Sequence, residues 1–393
     1  MKEDFLNFQA QTTPHPLLEE VVKAEGSYIY TSDGKSHLDF VAGVSACGLG
    51  HQHPVVIQAI KQQVDQYMHV MVYGEYALAP AVEYCKLLAE NLPPSLQSTY
   101  LVNSGTEAID GAMKLARRAT GKTQIIAAKN AYHGNSYGAL SLMDYKERTT
   151  PFEPMVGDIT HIVFNQLSCL SVINTNTAAV ILETIQGGAG FILPTQDYLK
   201  QIKKRCEEVG ALLILDEIQP GFGRTGKLFG FQHYDVVPDI LVIGKAMASG
   251  LPCGAFISSK QLMSTLSDQP KLGHITTFGG NPVIASSALA TLKVLLATNI
   301  MQEIEAKEKH FRNLLQHELI REIRGKGLML AMLFERDEIA NQVVLQAKEK
   351  GLILFWLLFE KKAVRISPPL TISLEEIEEG CQIIIEILNQ IKK

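Results

Sequence analysis

Between residues 99 and 258 the chain repeats short apolar runs with almost no polar alternation. They are Thr99 to Val102, Gln124 to Ala127, His161 to Phe164, Ala178 to Leu182, Ala211 to Leu215, Ile240 to Ile243 and Gly254 to Ser258. A strand with one face in water alternates apolar and polar residues, whereas a strand covered on both faces does not. The runs therefore predict strands buried on both sides. Amphipathic stretches lie between several of them. Glu107 to Ala119 carries Ala, Met and Leu on one side, and Asp197 to Val209 sets Tyr198, Leu199 and Ile202 opposite Lys203, Lys204 and Arg205. Strand and helix in turn predict a mostly parallel α/β sheet.

From about Ser286 the pattern changes. A long helix-like segment is followed by short strands around Gly327 to Phe334 and Leu352 to Ile366, then by an amphipathic helix from Leu374 to Ile391. That order predicts a smaller α+β domain. Near the start, Ser27 to Tyr30, the turn Ser32-Asp33-Gly34-Lys35 and His37 to Phe40 form a strand-turn-strand signal expected to pack with the C-terminal part. The expected division is an N-terminal segment 1–50, a large domain 51–285 and a small domain 286–393.

Composition narrows the class. At 393 residues and 46% hydrophobic content the chain can bury more than one ordinary domain core. Its net charge of -5, dispersed without a basic stripe, argues against a nucleic-acid partner. Six cysteines with no C-x-x-C pair point to reduced thiols and a cytoplasmic location. The N-terminus lacks the apolar core of a signal peptide, and no run of apolar residues is long enough for a membrane span.

The chemistry concentrates at strand ends. Leu212 to Leu215 leads into Asp216, and Ile240 to Ile243 leads through Gly244 into Lys245. Parallel sheets bind ligands just beyond the carboxyl ends of their strands, so this carboxylate and this amine are placed to converge on one small molecule. Pyridoxal phosphate needs such a pair: a lysine for its aldehyde and an acid for its ring nitrogen. Each residue alone is more readily explained as a helix cap.

A phosphate needs an anion site, and Asn103-Ser104-Gly105-Thr106-Glu107 stands between a strand and a helix start, where unpaired N–H groups gather. Ser104 and Thr106 add hydroxyls and Gly105 permits close approach, although the same letters also make a capping box. Tyr132 follows a strand and is placed to lie against a ring. The loop Thr276-Thr277-Phe278-Gly279-Gly280 is a second hydroxyl-and-glycine segment suited to a phosphate. His51 and His53 lack further ligands at metal spacing, so no metal is assigned. Gly221-Phe222-Gly223 follows Asp216 too closely to open a dinucleotide-binding helix.

Taken together, LLILDEIQPGFGRTGKLFG, PDILVIGKAMASGLPCGAF, VNSGTEA and TTFGGNP resemble the class III aminotransferases, most of all the acetylornithine and ornithine aminotransferase branch. The resemblance runs from about Gly26 to Pro368-Pro369. It implies a fold-type I pyridoxal-phosphate transferase, with a mostly parallel seven-stranded sheet flanked by helices and a smaller α+β domain. It implies Lys245 as the Schiff-base lysine and proton shuttle, and Asp216 on the ring nitrogen. Gln219 would reach the ring hydroxyl, Tyr132 would stack on the ring, and Ser104, Gly105 and Thr106 would hold the phosphate. Thr277 would reach that phosphate from a neighbouring subunit, which implies a homodimer with active sites at the subunit interface. Arg365, in Val364-Arg365-Ile366-Ser367-Pro368-Pro369, matches the family arginine that binds a substrate carboxylate, and Glu183 and Thr276 join it as expected substrate contacts.

The chain also departs from that branch. Asn135 stands where the family motif F-H-G-R has its arginine, Gly188 replaces the second glutamate of E-P-I-Q-G-E, and Val44 replaces a tyrosine of the ornithine enzymes. The expected reaction is transfer from an ω-amino donor, ornithine- or acetylornithine-like, to a 2-oxoacid such as 2-oxoglutarate. Arg365 would take the acceptor's carboxylate. An ω-amine or ω-amino-acid:pyruvate transaminase, or an aminomutase on the same fold, remains the alternative.

Overall fold

The computed structural model describes residues 1–195 and 197–392. Near the N-terminus, β1 (Val21–Glu25), β2 (Tyr28–Thr31) and β3 (Ser36–Asp39) form an antiparallel meander. Seven strands follow: β4 (Ser98–Val102), β5 (Gln124–Ala128), β6 (Ile159–Ile162), β7 (Thr177–Glu183), β8 (Leu212–Asp216), β9 (Ile240–Gly244) and β10 (Gly254–Ser258). They make one sheet in the order β4-β10-β9-β8-β7-β5-β6. Only β10 runs against its neighbours, pairing antiparallel with both β4 and β9. The mostly parallel sheet expected from unbroken apolar runs is present, and every residue of β7, β9 and β10 is buried.

One strand is displaced from its apolar run. β6 begins two residues earlier than expected, because parallel pairing with β5 starts at Ile125 opposite Ile159. Phe164 is still buried, but it lies past the end of the strand.

The segment after Ser286 is two helices instead of one. Pro282–Ala297 and Ile300–Leu314 meet at a bend of 74°. The first is started by Asn281, whose side-chain oxygen accepts from the N–H groups of Val283 and Ile284 at 3.0 and 3.3 Å, with Pro282 in the first turn. That helix packs against Pro54–Gln66 and Ala79–Glu90, so it belongs with the large sheet's surroundings. Among the described residues no single helix is long and apolar enough to cross a membrane.

The C-terminal part adds β11 (Ile320–Lys326), β12 (Met329–Phe334), β13 (Leu352–Ile353), β14 (Phe355–Trp356) and β15 (Ala363–Ile366). The run Leu352 to Ile366 is thereby split between two sheets. β13 pairs parallel with β3, joining the meander, while β14 and β15 complete a sheet in the order β11-β12-β15-β14. Sequence-distant segments are locked by packing as well. The Phe40 and Phe311 rings lie 5.2 Å apart edge to face, and a Cβ at Gly380 of the last helix would come within 2.2 Å of the Phe40 ring.

The parallel strands β4, β5, β7, β8 and β9 all direct their carboxyl ends to one edge of the sheet. β15 brings Arg365 to the same place from the other side.

Candidate active site

A cavity of 690 Å³ opens at that edge, and Gly105, Thr106, Tyr132, Glu183, Asp216, Gln219, Lys245 and Arg365 all line it. Asp216 ends β8 with its carboxylate held at both oxygens. Oδ2 lies 2.7 Å from Nδ1 of the buried His133, and Oδ1 accepts from the Ile218 N–H at 2.9 Å. Burial opposes a charge on the His133 ring, but the bond and charge of Asp216, with the charge of Glu183, outweigh it and raise the imidazole above its ordinary range. The neighbouring acid faces away. Glu217 accepts from the Thr184 hydroxyl at 2.7 Å and from the N–H groups of Gly230 and Phe231 at 2.8 and 2.6 Å, so it braces a loop instead of the cavity.

Lys245 follows β9 directly, with a left-handed backbone (φ 45°) that turns its side chain out of the sheet edge into the cavity. Burial, with the positive charge of Arg365 behind it, pushes its ammonium down to about 8. A lysine so placed carries a substantial neutral fraction near neutral pH, the form that attacks a carbonyl. Glu183, at the end of β7, accepts from the N–H groups of Gly187 and Tyr132 at 2.9 and 3.2 Å, and burial pushes its carboxyl up to about 7.

The helix Gly105–Thr120 points its start at the cavity. Ser104 is the N-cap and its hydroxyl accepts from the Glu107 N–H at 3.3 Å, while Glu107 reaches back to the Asn103 N–H at 2.8 Å. Only the Ser104 half of the capping box suspected from the letters is thus formed, since Glu107 reaches one residue past the N-cap, and Ser104 does not line the cavity. The Thr106 hydroxyl is 2.6 Å from that of Ser136. Two glycines make room here, and at the second the backbone itself demands one. A Cβ at Gly105 would come within 2.8 Å of Ile218, and Gly134, at φ +131°, leaves no room for a side chain beside Thr106. The cradle this leaves, bare N–H groups at a helix start with Thr106 beside them, has the donor set an anion takes.

Arg365 is buried, and its Nε and Nη1 have no hydrogen-bond partner. Burial alone pushes its guanidinium down to about 10. A second buried arginine, Arg224, donates to the Leu328 and Pro368 carbonyls and so anchors the chain just beyond Arg365. Gly188 lies against the connector between β14 and β15. The Phe359 N–H donates to its carbonyl at 2.9 Å, and a Cβ on Gly188 would come within 2.7 Å of the Phe359 ring. Phe355, Trp356, Leu357 and Leu358 form an apolar wall of the same cavity.

Thr276 and Thr277 are elsewhere. Thr276 accepts from the Gly279 N–H at 2.9 Å and lines a separate groove, and Thr277 is exposed. His133 was not singled out in the sequence. Its signal was its place one residue after Tyr132 in the same loop, but nothing in the letters paired it with Asp216, which is 83 residues away. Arg148 and the apolar wall were likewise missed as cavity residues.

The family model described as Aminotransferase class-III matches residues 9–388. The acetylornithine aminotransferase of Caldanaerobacter subterraneus subsp. tengcongensis is 35% identical over 384 residues, 95% of each chain. The LysW-aminoadipate semialdehyde/glutamate semialdehyde transaminase of Sulfolobus acidocaldarius is 36% identical over 377 residues, again 95% of each. Among solved structures, an ornithine aminotransferase from Toxoplasma gondii superposes with a TM-score of 0.92 at 29% identity, covering 100% of this chain and 95% of that one. It is described with partial occupancy of pyridoxal phosphate at its active site.

Proposed function

This chain belongs to the class III aminotransferases, and we propose that it moves an amino group from a donor with a terminal primary amine, ornithine- or acetylornithine-like, to 2-oxoglutarate. It is a pyridoxal-phosphate-dependent transferase acting on an amine donor and a 2-oxoacid. The observation that carries the acceptor assignment is Arg365: a buried guanidinium with two unpartnered nitrogens, lining the cavity that also holds Lys245. An unpaired buried cation is costly, and a ligand carboxylate relieves that cost.

The residues present fit the cofactor. Its phosphate matches the N–H cradle at Gly105 and Thr106, its ring nitrogen matches the Asp216 carboxylate, and its aldehyde matches Lys245. When bound, pyridoxal phosphate supplies a carbonyl for a primary amine and a protonated ring that draws electron density from the substrate carbon. Asp216, kept in place by His133 and the Ile218 N–H, would hold the proton on that ring nitrogen. Tyr132 would lie against the ring and Gln219 would serve the ring hydroxyl, both lining the same cavity. Lys245 would take and return a proton at Nζ, where its lowered pKa of about 8 suits both directions. The apolar wall from Phe355 to Leu358 excludes water from that transfer.

We extend the proposal to a cytoplasmic homodimer in which Thr277 of one subunit serves the other's phosphate site, and to the three-part division 1–50, 51–285 and 286–393 with its second boundary moved past the helix Pro282–Ala297, which packs with the large domain. Exposure of Thr277 and Phe278 supports the first part. The neutral Asn135 at the cavity favours a second reading, an ω-amino-acid:pyruvate transaminase.

An absorbance scan tests the proposal. The purified protein loaded with pyridoxal phosphate is expected to be yellow, to bleach with ornithine, acetylornithine or another terminal amine, and to recover with 2-oxoglutarate. The Lys245→Ala variant is expected to turn over at least about 10³-fold more slowly. Recovery with pyruvate alone selects the second reading. No bleaching by any primary amine overturns both.

A further inference from the structure

Two guanidinium groups line the cavity, and only Arg365 has a part in the reaction described above. The other is Arg148, in the short helix Lys146–Thr149. Its helix neighbours are engaged. Lys146 lies 3.9 Å from Glu153, and Glu147 accepts from the Tyr145 hydroxyl at 3.1 Å. Among the described residues the Arg148 side chain has no carboxylate within salt-bridge distance and no hydrogen bond. It is exposed at the rim, whereas Arg365 is buried at the floor.

The cavity holds no acid to satisfy it. Asp216 and Glu183 are the carboxylates that line the space, and both already accept two hydrogen bonds from the protein. Asn135, also on the rim, is neutral and donates to the Tyr132 hydroxyl at 3.2 Å. The charge of Arg148 is felt at that phenol, where it partly offsets the upward push of burial. The helix is also tied to the far wall. The Tyr145 ring lies 5.3 Å from Phe359, whose N–H in turn holds Gly188. Arg148 is therefore positioned by the same packing that lines the approach to Arg365.

We propose that Arg148 is a specificity-determining residue, a rim site for a second carboxylate on substrates whose first carboxylate is held by Arg365. Among oxoacid acceptors the cavity then selects those with an anionic group at each end, and a one-carboxylate acceptor of equal length leaves the rim charge unused. This rests on the aminotransferase reading for its consequence, but its direct test does not need turnover.

Trp356 is the only tryptophan in the chain and lines this cavity, so its fluorescence reports occupancy. Holoenzyme is titrated with glutarate and with pentanoate, which share five carbons but carry two and one carboxylates. The expected result is glutarate binding about tenfold tighter than pentanoate in the parent. In Arg148→Gln the two should fall within about threefold of each other, with pentanoate unmoved, and Arg148→Lys should restore part of the difference. Equal glutarate affinity in parent and Arg148→Gln, or equal weakening of both ligands, overturns the proposal. In turnover, Arg148→Gln is expected to raise KM for 2-oxoglutarate about tenfold and leave kcat and the KM for pyruvate in place. If the parent transfers no amino group to any oxoacid, the function proposed above fails, while the glutarate titration still decides the role of Arg148.

Discussion

The two ends of the cavity are built on opposite principles. At the cofactor end the two acids and the threonine are held within the protein, Asp216 by His133 and the Ile218 N–H, Glu183 by two N–H groups and Thr106 by Ser136, while Lys245 and the helix-start N–H groups are left open. At the substrate end, among the described residues, Arg365 is buried with two nitrogens unpaired, Arg148 has no acidic partner, and the wall from Phe355 to Leu358 is apolar. A permanently resident group is served by a rigid, pre-satisfied frame, because reorganisation would cost affinity on every binding event. Substrates that come and go need charges the protein itself does not neutralise. The contrast locates affinity for the cofactor in geometry, and selectivity for substrate in unmet electrostatic demand.

The substrate end is broken most severely at Arg365. Arg365→Ala is expected to lower kcat/KM for the 2-oxoacid by roughly thirty- to several-thousand-fold, corresponding to about 2–5 kcal/mol for a desolvated charge-assisted pair. Single-turnover recovery of colour by the oxoacid reads this directly. Thermal unfolding should show no loss of stability, since the residue removed is an unpaired buried cation. Full 2-oxoglutarate activity in that variant would remove the distinction between the two ends.

The cofactor end is tested at His133. His133→Gln keeps a donor but removes the charge beside Asp216, and the dissociation constant for pyridoxal phosphate is expected to rise about ten- to a hundredfold, as for a hydrogen bond to a charged group. KM for the oxoacid should stay within about twofold. Equal damage to both would mean the ends are one coupled network.

The smallest effect is expected at the seam. Gly188→Glu would push a side chain into Phe359, which already sits 2.7 Å from where a Cβ would be. The expected cost is about 1–3 kcal/mol, read as a lower Tm, with no new pairing to Arg365. A gain in selectivity against dicarboxylates would instead show that the connector moves aside and the new carboxylate reaches Arg365.

The cofactor end was largely legible in the letters because its residues sit at the ends of strands with unmistakable apolar patterning. Asp216 and Lys245 each follow a run of buried β-branched and leucine residues, and a parallel sheet brings such ends together whatever the loops do. The substrate end was less legible. Arg148 lies in a short surface helix with ordinary composition, and the wall from Phe355 to Leu358 is an apolar run whose letters carry no reactive group.

The sequence by itself determined the sheet, the strand ends that carry Asp216 and Lys245, and the capped helix start beside them, because each follows from local periodicity and short-range hydrogen bonding. Only the tertiary structure decided that His133 steadies Asp216, that Glu217 turns away from it, that one apolar run is divided between two sheets, and that Phe359 fills the space at Gly188. Those outcomes depend on contacts between residues far apart in the chain, and a linear pattern carries no record of which distant side chains close packing will bring into reach.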